Sequence, residues 1–192
     1  MGSRGDREPE CEMDDRKDHD GDDTLCPIAH STGLVGDRWS ILIVRELLMG
    51  QTHFQDIQAQ TGATSQMVAA RLKRLEADGL VERRAYSQRP LRHEYRLTAK
   101  GVHLMPVILA LRTWGERWCK PEGGAPAAHM FHRACGTELD LDGHCPACGV
   151  LVPWTDMRAQ PSEAWAAERR QRAADFADHR RSQPHPRTES DE

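Results

Sequence analysis

Two short motifs near the carboxyl end of the chain carry side chains that bind metal ions. His132-x-x-Cys135 and Cys145-x-x-Cys148 are each followed by glycine, and nine residues separate the two pairs. Glycine leaves room for paired ligands to converge, and four nitrogen and sulfur ligands suit tetrahedral zinc. Four protein ligands leave no open position for water, so we expect structural Zn2+ rather than a catalytic metal. The motifs therefore predict a zinc-ribbon-like module over residues 129–155 that is folded by its metal.

Three alternatives stay open for this segment. The Cys-Pro-Ala-Cys sequence is also that of a thioredoxin-like redox pair, although no βαβ pattern surrounds it. The cysteines could instead lie unligated in a loop. His129 or His144 could also replace His132 as the fourth ligand, but His144 directly precedes Cys145 and would have difficulty turning toward the same ion.

Length and composition limit the classes of protein to consider. The 192 residues suit one medium domain with appendages. No apolar run approaches the roughly 18 residues of a membrane span, and no secretion signal is evident. We therefore expect a cytoplasmic protein without membrane contact. The sequence also lacks a nucleophile elbow, a Walker A loop and an HExxH motif, so we do not expect an enzyme.

The net charge of -4 conceals a strong partition of charge along the chain. Residues 1–25 hold ten acidic against four basic side chains, whereas residues 64–103 hold nine basic against four acidic ones. Low hydrophobicity and acidic charge predict a disordered tail. A segment rich in Gly and Pro predicts a linker between the structured parts of the chain. The predicted non-globular segments are a tail at 1–24, a linker at 121–128 and a second tail at 182–192.

Between the first tail and the linker, the pattern of apolar residues predicts three helices. Asp37 can cap an apolar helix that ends before Gly50. Thr52 and Gln55 have the spacing of a capping box at the start of a short second helix, which Gly62 closes.

The third helix is predicted to begin at an N-terminal cap, Ser65, and to end near Gly79. It turns Val68, Leu72 and Leu75 toward the interior and leaves its other face polar and basic. Two short helices joined by a tight turn match a helix-turn-helix, in which the second helix, here 65–78, enters the major groove of DNA.

An arginine-rich hairpin is predicted over residues 80–97, directly after this motif. A helix-turn-helix followed by such a hairpin is a winged helix, and its wing suits phosphates or the minor groove. The fold class is therefore mainly α with a small β wing (α+β), and double-stranded DNA is the expected partner. The predicted DNA-binding residues are Thr64, Ser65, Gln66, Met67, Ala70, Arg71, Arg74, Arg84, Arg89 and Arg92.

Residues 26–119 resemble the HxlR-type bacterial transcriptional regulators, relatives of the MarR and ArsR groups. The resemblance lies in CPI, GDRWSILIVREL, the F-x-x-I of the first helix-turn-helix member, RLK-x-LE-x-DGLV, and Y-x-LT-x-KG after the wing. It implies a homodimeric DNA-binding repressor or activator in domain 25–120. A protein-binding role of the winged helix beside a zinc-ribbon module is the alternative function.

The helix expected after the wing, from Thr98 onward, carries apolar residues at a spacing that forms a seam against another helix. Pro106 is predicted to kink its first turns. A core-facing helix is the alternative, but two tryptophans on one helix favour a dimer contact. The predicted dimer residues are Leu104, Val107, Leu111, Trp114 and Trp118.

Two further features complete the predictions. A surface helix over 160–181 is expected to be capped by Ser162, and the sequence does not indicate where it packs. Cys26 resembles the amino-terminal thiol switch of some HxlR-type regulators. It precedes Pro27 at a predicted helix start, where unpaired N-H groups can lower the pKa of a thiol, so Cys26 is a candidate sensor of an oxidant or a small-molecule effector. A plain packing role for this cysteine is the alternative.

Overall fold

The structure, a computed structural model, describes residues 24–89, 91–121 and 124–182 of the chain. The predicted tails, 1–24 and 182–192, lie outside the described residues except for their innermost positions.

The chain divides into two units, residues 1–37 and 38–192. The first unit holds helix α1 (Pro27–Val35), whose amino-terminal cap position is Cys26 and whose first turn contains proline. Proline suits this position because the first N-H groups of a helix have no intrahelical partner.

The second unit begins with three helices that share one core: α2 (Arg38–Leu48), α3 (Phe54–Thr61) and α4 (Ser65–Ala77). Helix α2 packs against both others and lies at the centre, as its apolar sequence predicts. The fully buried side chains of this core include Ile43, Val44, Ile57, Val68, Leu72 and Leu75.

The cap of α3 differs from the capping box predicted at Thr52. His53 occupies the cap position, and its side chain makes no capping hydrogen bond. Thr52 is instead drawn into extended pairing, because its carbonyl accepts a hydrogen bond of 2.8 Å from the Tyr95 N-H. The same segment forms a bridge between His53 and Glu94, so it ties the base of the wing to the start of α3.

The cap of α4 lies one residue before the predicted Ser65. Thr64 has an extended backbone, and its hydroxyl accepts a hydrogen bond of 3.2 Å from the Met67 N-H. Ser65 already belongs to the helix. Both residues can cap, so composition alone did not distinguish them.

The wing consists of the antiparallel strands β1 (Val81–Gln88) and β2 (Leu91–Leu97). Their register shifts between Ala85 and Ser87, which leaves Tyr86 as the extra residue of a β-bulge. This hairpin agrees with the predicted wing.

The Y-x-LT-x-KG motif joins the end of the wing to the end of α4. The Thr98 hydroxyl donates to the Gly79 carbonyl at 2.7 Å, and the Lys100 ammonium donates to the Asp78 carbonyl at 2.8 Å. Thr98 also caps the short helix α5 (Ala99–Val102). The motif therefore fixes the wing relative to α4.

The long helix predicted from Thr98 is interrupted. After α5, the chain turns at His103, and helix α6 (Met105–Trp118) begins with Pro106 in its first turn. The kink expected from Pro106 is thus a full break, since proline begins helices more readily than it continues them.

Beyond the linker, the chain forms two small antiparallel sheets. Strand β3 (Ala128–His132) pairs with β6 (Met157–Pro161), and β4 (His144–Cys145) pairs with β5 (Val150–Leu151). Because β6 pairs with β3, the ribbon extends past residue 155, which was its predicted end. The residues of β6 are mostly exposed and show no apolar alternation, so the strand left no periodic signal.

Helix α7 (Glu163–Ser182) follows β6, so residues 160 and 161 of the predicted helix are strand instead. Ser162 caps it, since its hydroxyl accepts a hydrogen bond of 3.3 Å from the Trp165 N-H. The helix packs against α3. Within the described residues, no helix has the length and apolar character needed to cross a membrane.

Gly101 of α5 generates a test of this arrangement. A Cβ at Gly101 would lie 2.2 Å from the Leu80 carbonyl oxygen, whereas one at Gly33 of α1 would meet nothing within 4 Å. We expect Gly101→Ala to lower the free energy of unfolding by about 1 to 3 kcal/mol, because the backbone must shift. Gly33→Ala should cause no loss. Urea denaturation measures both, and equal stability of the two variants would contradict the close approach.

Candidate nucleic-acid interface and metal centre

Helix α4 separates an apolar from a polar face. Val68, Leu72 and Leu75 are buried against the core. Their spacing of four and three residues places them on one side of the helix, and the opposite side faces solvent. A helix with one anchored face and one exposed polar face can enter a groove of about 12 Å.

The predicted DNA-binding residues of α4 fall mainly on its exposed side. Four of them are exposed: Thr64, Ser65, Gln66 and Ala70. Three are half-buried: Met67, Arg71 and Arg74. The prediction omitted Ala69 and Lys73, which are also exposed. Their positions, four and eight residues after Ser65, would have indicated the same face.

The wing presents its predicted arginines to solvent. Arg84, Arg89 and Arg92 are all exposed. Arg84 pairs with Glu82 at 2.6 Å, an exposed ion pair that costs little to exchange for a phosphate. Arg96 is held more firmly, because its guanidinium donates to Glu94 at 2.8 and 3.3 Å.

The four predicted metal ligands converge. Their ligand atoms all lie within 4.8 Å of one another. Cys135 Sγ lies 3.2 Å from His132 Nδ1 and 3.5 Å from Cys145 Sγ, and Cys148 Sγ lies 3.6 Å from the same nitrogen. Ligands of a tetrahedral zinc ion are about 3.3 to 3.8 Å apart, given metal-ligand bonds of 2.0 to 2.3 Å. The cluster therefore fits a tetrahedral metal ion of this size.

The backbone of each pair has the same local shape. The Gly136 N-H donates to the His132 carbonyl, and the Gly149 N-H donates to the Cys145 carbonyl, both at 2.8 Å. Both glycines have positive φ, 73° and 69°, which a side chain would oppose. Glycine after each pair is thus required for the turn that brings the ligands together.

A carboxylate orients the imidazole of His132. His132 is buried, and its Nε2 lies 3.2 Å from Asp156 Oδ2, which leaves Nδ1 toward the sulfur atoms. Such a carboxylate-histidine pair is typical of metal-binding histidines. The alternative ligands have other partners, because His129 Nδ1 lies 2.5 Å from Glu138 and His144 Nδ1 lies 3.7 Å from Asp140.

The thiols of the cluster differ in acidity. Hydrogen bonding with Thr137 lowers the pKa of Cys135 to about 6. Hydrogen bonding with Cys135 raises the pKa of Cys148 to about 11, and hydrogen bonding with Cys145 raises the pKa of His132. A divalent cation needs thiolates and a neutral imidazole, so its binding must release protons and weaken as pH falls.

Helix α6 uses its two sides differently. One side packs on the ribbon: Leu109 contacts its hydrophobic core, and the Thr113 hydroxyl donates to the Leu141 carbonyl at 3.0 Å. The other side, which carries most of the predicted seam, is exposed, and Trp118 exposes 69% of its surface. The exposed residues of the predicted seam are Val107, Leu111, Trp114 and Trp118. Leu104 is half-buried and precedes the helix.

Cys26 is exposed at the start of α1. Its N-H donates to the Thr24 hydroxyl at 3.1 Å, and its carbonyl accepts from the His30 N-H at 3.3 Å. The thiol is therefore open to a soluble reagent, and the role predicted for it stays a prediction.

A helix-turn-helix tied to an arginine-bearing hairpin defines a winged helix-turn-helix protein. Residues 34–123 match the family described as HxlR-like helix-turn-helix. The chain belongs to this family of transcriptional regulators, as its motifs predicted.

Individual relatives agree with this assignment. Over 142 residues the chain is 33% identical to the uncharacterized HTH-type transcriptional regulator Rv3095 of Mycobacterium tuberculosis, covering 73% of this chain and 89% of the relative. It is 37% identical over 100 residues to the HTH-type transcriptional regulator YodB of Bacillus subtilis, covering 51% of this chain and 89% of YodB. The crystal structure of PA1607, a candidate transcription factor, has a TM-score of 0.56 at 30% identity and covers 73% of this chain and 97% of that one.

Proposed function

We propose that the protein is a sequence-specific regulator of transcription, a repressor, that binds double-stranded DNA as a homodimer. The observation that carries this proposal is the exposed polar face of α4, opposite the buried Val68, Leu72 and Leu75. Helix α4 enters the major groove, and the wing contacts the sugar-phosphate backbone or the minor groove.

In this proposal, base recognition and phosphate contact belong to different residues. Gln66 lies in the first turn of α4 and Arg71 near its middle, and in this proposal their side chains reach base edges. Arg89 lies in the wing turn and Arg92 near the start of β2, and both contact phosphates, which position the protein without reading sequence.

Substitution in the two groups should have different effects. Gln66→Ala or Arg71→Ala should reduce base preference by about 1 to 3 kcal/mol at one position of each half-site. Arg89→Ala or Arg92→Ala should weaken binding to all sequences alike and reduce the salt slope by about 0.9 each. Duplex selection and salt titration measure these effects. Undiminished binding after joint substitution of Arg71, Arg84, Arg89 and Arg92 would contradict the proposal.

The dimer contact in this proposal is the exposed side of α6. Val107, Leu111, Trp114 and Trp118 recur at spacings of four, three and four residues, which is the spacing of a helix-helix seam. The ribbon already packs on the other side of α6. We therefore propose that the exposed side of α6 packs against a second copy of the chain. Two-fold symmetry places two recognition helices about 34 Å apart, one turn of DNA.

Joint replacement of Leu111 and Trp114 by glutamine should yield monomers in sedimentation. Each monomer must then bind a half-site alone, so operator affinity should fall by about 10² to 10⁴-fold. The matched control is Val150→Gln with Leu151→Gln, which changes exposed apolar residues of the ribbon instead. A persistent dimer in the α6 variant would move the interface elsewhere, with α1 as the next surface to examine.

Structural zinc is the metal that we propose for the cluster, and four protein ligands leave it no catalytic position. Elemental analysis should find one zinc per chain, and Cys145→Ser should remove it while Cys119→Ser, outside the cluster, should not. Zinc added to metal-free protein at neutral pH should release protons, because Cys148 has a raised pKa of about 11. Purified protein without metal, in which Cys135, Cys145 and Cys148 are rapidly alkylated, would contradict zinc binding.

Response to an oxidant through Cys26 is the final part of the proposal. Exposure of its thiol and its position at the start of α1 support this role. Operator binding by the wild type and by Cys26→Ser should differ after mild peroxide treatment, with zinc content followed in parallel. An equal response of the two proteins would eliminate Cys26 as the sensor.

A further inference from the structure

A buried carboxylate lies in the central helix of the winged domain. Glu46 of α2 is 0% exposed. The Arg45 guanidinium donates to its Oε1 at 2.8 and 2.6 Å. Arg169 donates to both oxygens, at 3.0 Å to Oε1 and 2.6 Å to Oε2, and leaves only 12% of its side chain exposed. A carboxylate that is buried away from water requires positively charged hydrogen-bond donors. The Arg169 contact is the stronger of the two because it is bidentate and reaches both carboxylate oxygens.

Arg169 belongs to α7 and lies 123 residues from Glu46 in the chain. Its own carbonyl accepts a hydrogen bond of 3.0 Å from the Gln60 side chain. Arg172, one turn later, donates to the Gln60 carbonyl at 3.2 Å. Gln60 is in the last turn of α3, where carbonyls have no intrahelical partner. Helix α7 therefore holds α2 and α3 together beside the turn that leads into α4.

The amino-terminal end of the same helix is joined to the sheet that carries His132 of the cluster. Strand β6 pairs along β3 from Pro161 to Met157, opposite His132, and the Ser162 N-H donates to the Ala127 carbonyl at 2.9 Å. Helix α7 begins at the next residue, Glu163. A continuous path of strand pairing and helix thus runs from the cluster to Glu46.

We propose that Arg169 is a positioning residue for DNA recognition. Through Arg169, the placement of α3 and of the turn into α4 depends on the folded ribbon. The inference rests on the DNA-binding function and zinc site proposed above. The Arg169 side chain is committed to Glu46, so this proposal gives it no contact with DNA. It acts through Glu46 and Gln60, which fix the first helix of the helix-turn-helix.

The test compares two neighbouring arginines in the full-length protein. Arg170 is on the same helix and carries the same charge, but its side chain is 66% exposed and pairs with Glu163. Arg169→Ala should lower operator affinity about tenfold, and more than affinity for unrelated duplex, because the loss of charged hydrogen bonds displaces α3. Arg170→Ala should change either affinity less than about twofold, as expected of an exposed pair. Both variants should stay dimeric and retain zinc.

Hydrogen exchange distinguishes positioning from a general loss of stability. Amides of α3 should exchange faster in Arg169→Ala than in Arg170→Ala, while those of the ribbon strands stay protected. Should Arg169→Ala fail to fold, the double variant Glu46→Gln/Arg169→Gln removes the pair without leaving a buried charge, and the same loss of operator preference is expected. Wild-type operator preference in a folded Arg169 variant would overturn the proposal. Absence of duplex binding by the wild type would instead overturn the DNA-binding function.

Chelation tests the dependence on metal. Removal of zinc from the wild type should speed exchange in α3 and reduce operator preference, and in Arg169→Ala it should add little to either effect. If chelation leaves α3 of the wild type unchanged, the ribbon does not control the placement of the helix-turn-helix.

Discussion

The convergence of three sulfur atoms and one imidazole is the constraint on which the carboxyl-terminal half of the molecule depends. The buried hydrophobic cluster of the ribbon consists of four side chains, Met130, Leu139, Cys145 and Val152, and one of them, Cys145, also belongs to the Cys/His cluster. A core of this size supports a fold poorly without a staple. The Cys/His cluster and the pairing of β3 with β6 therefore supplement the small apolar core of the ribbon.

The position of the ribbon also determines which side of α6 stays exposed and available for other contacts. Arg112 donates to the Ala128 carbonyl at 2.6 Å, and Arg117 donates to both oxygens of Asp142 at 3.0 Å. These contacts occupy one side of the helix along most of its length. Tryptophans that stay exposed on the remaining side form an apolar surface of the kind found at protein interfaces.

The sequence predicted the elements that rest on local pattern and missed those that rest on distant contacts. Apolar spacing placed the three core helices and the wing, and the His/Cys spacing identified the four residues that the structure brings together. The two cap positions were wrong because neighbouring residues have similar capping ability, and at Thr52 a tertiary hydrogen bond overrode the local preference. The strand β6 was missed because its residues follow no alternation.

The docking of α7 had one signal that sequence reasoning did not use. Glu46 is the sole acidic residue in a helix whose other faces are largely apolar. A carboxylate in that setting requires a cation, but the chain contains many arginines, and no spacing rule relates residues so far apart. The sequence pattern therefore could not identify which arginine pairs with Glu46.

The separation of Glu46 from Arg169 has a consequence for synthesis of the chain. Translation at about 5 to 20 residues per second places roughly 6 to 25 s between the two residues, which are 123 positions apart. Until Arg169 has been made, Arg45 is the only one of its two arginine partners that Glu46 can contact. The contact that joins α2 to α7 can therefore form only after most of the chain has been synthesised. The bidentate contact is a late event in synthesis, although one of its two partners is made early.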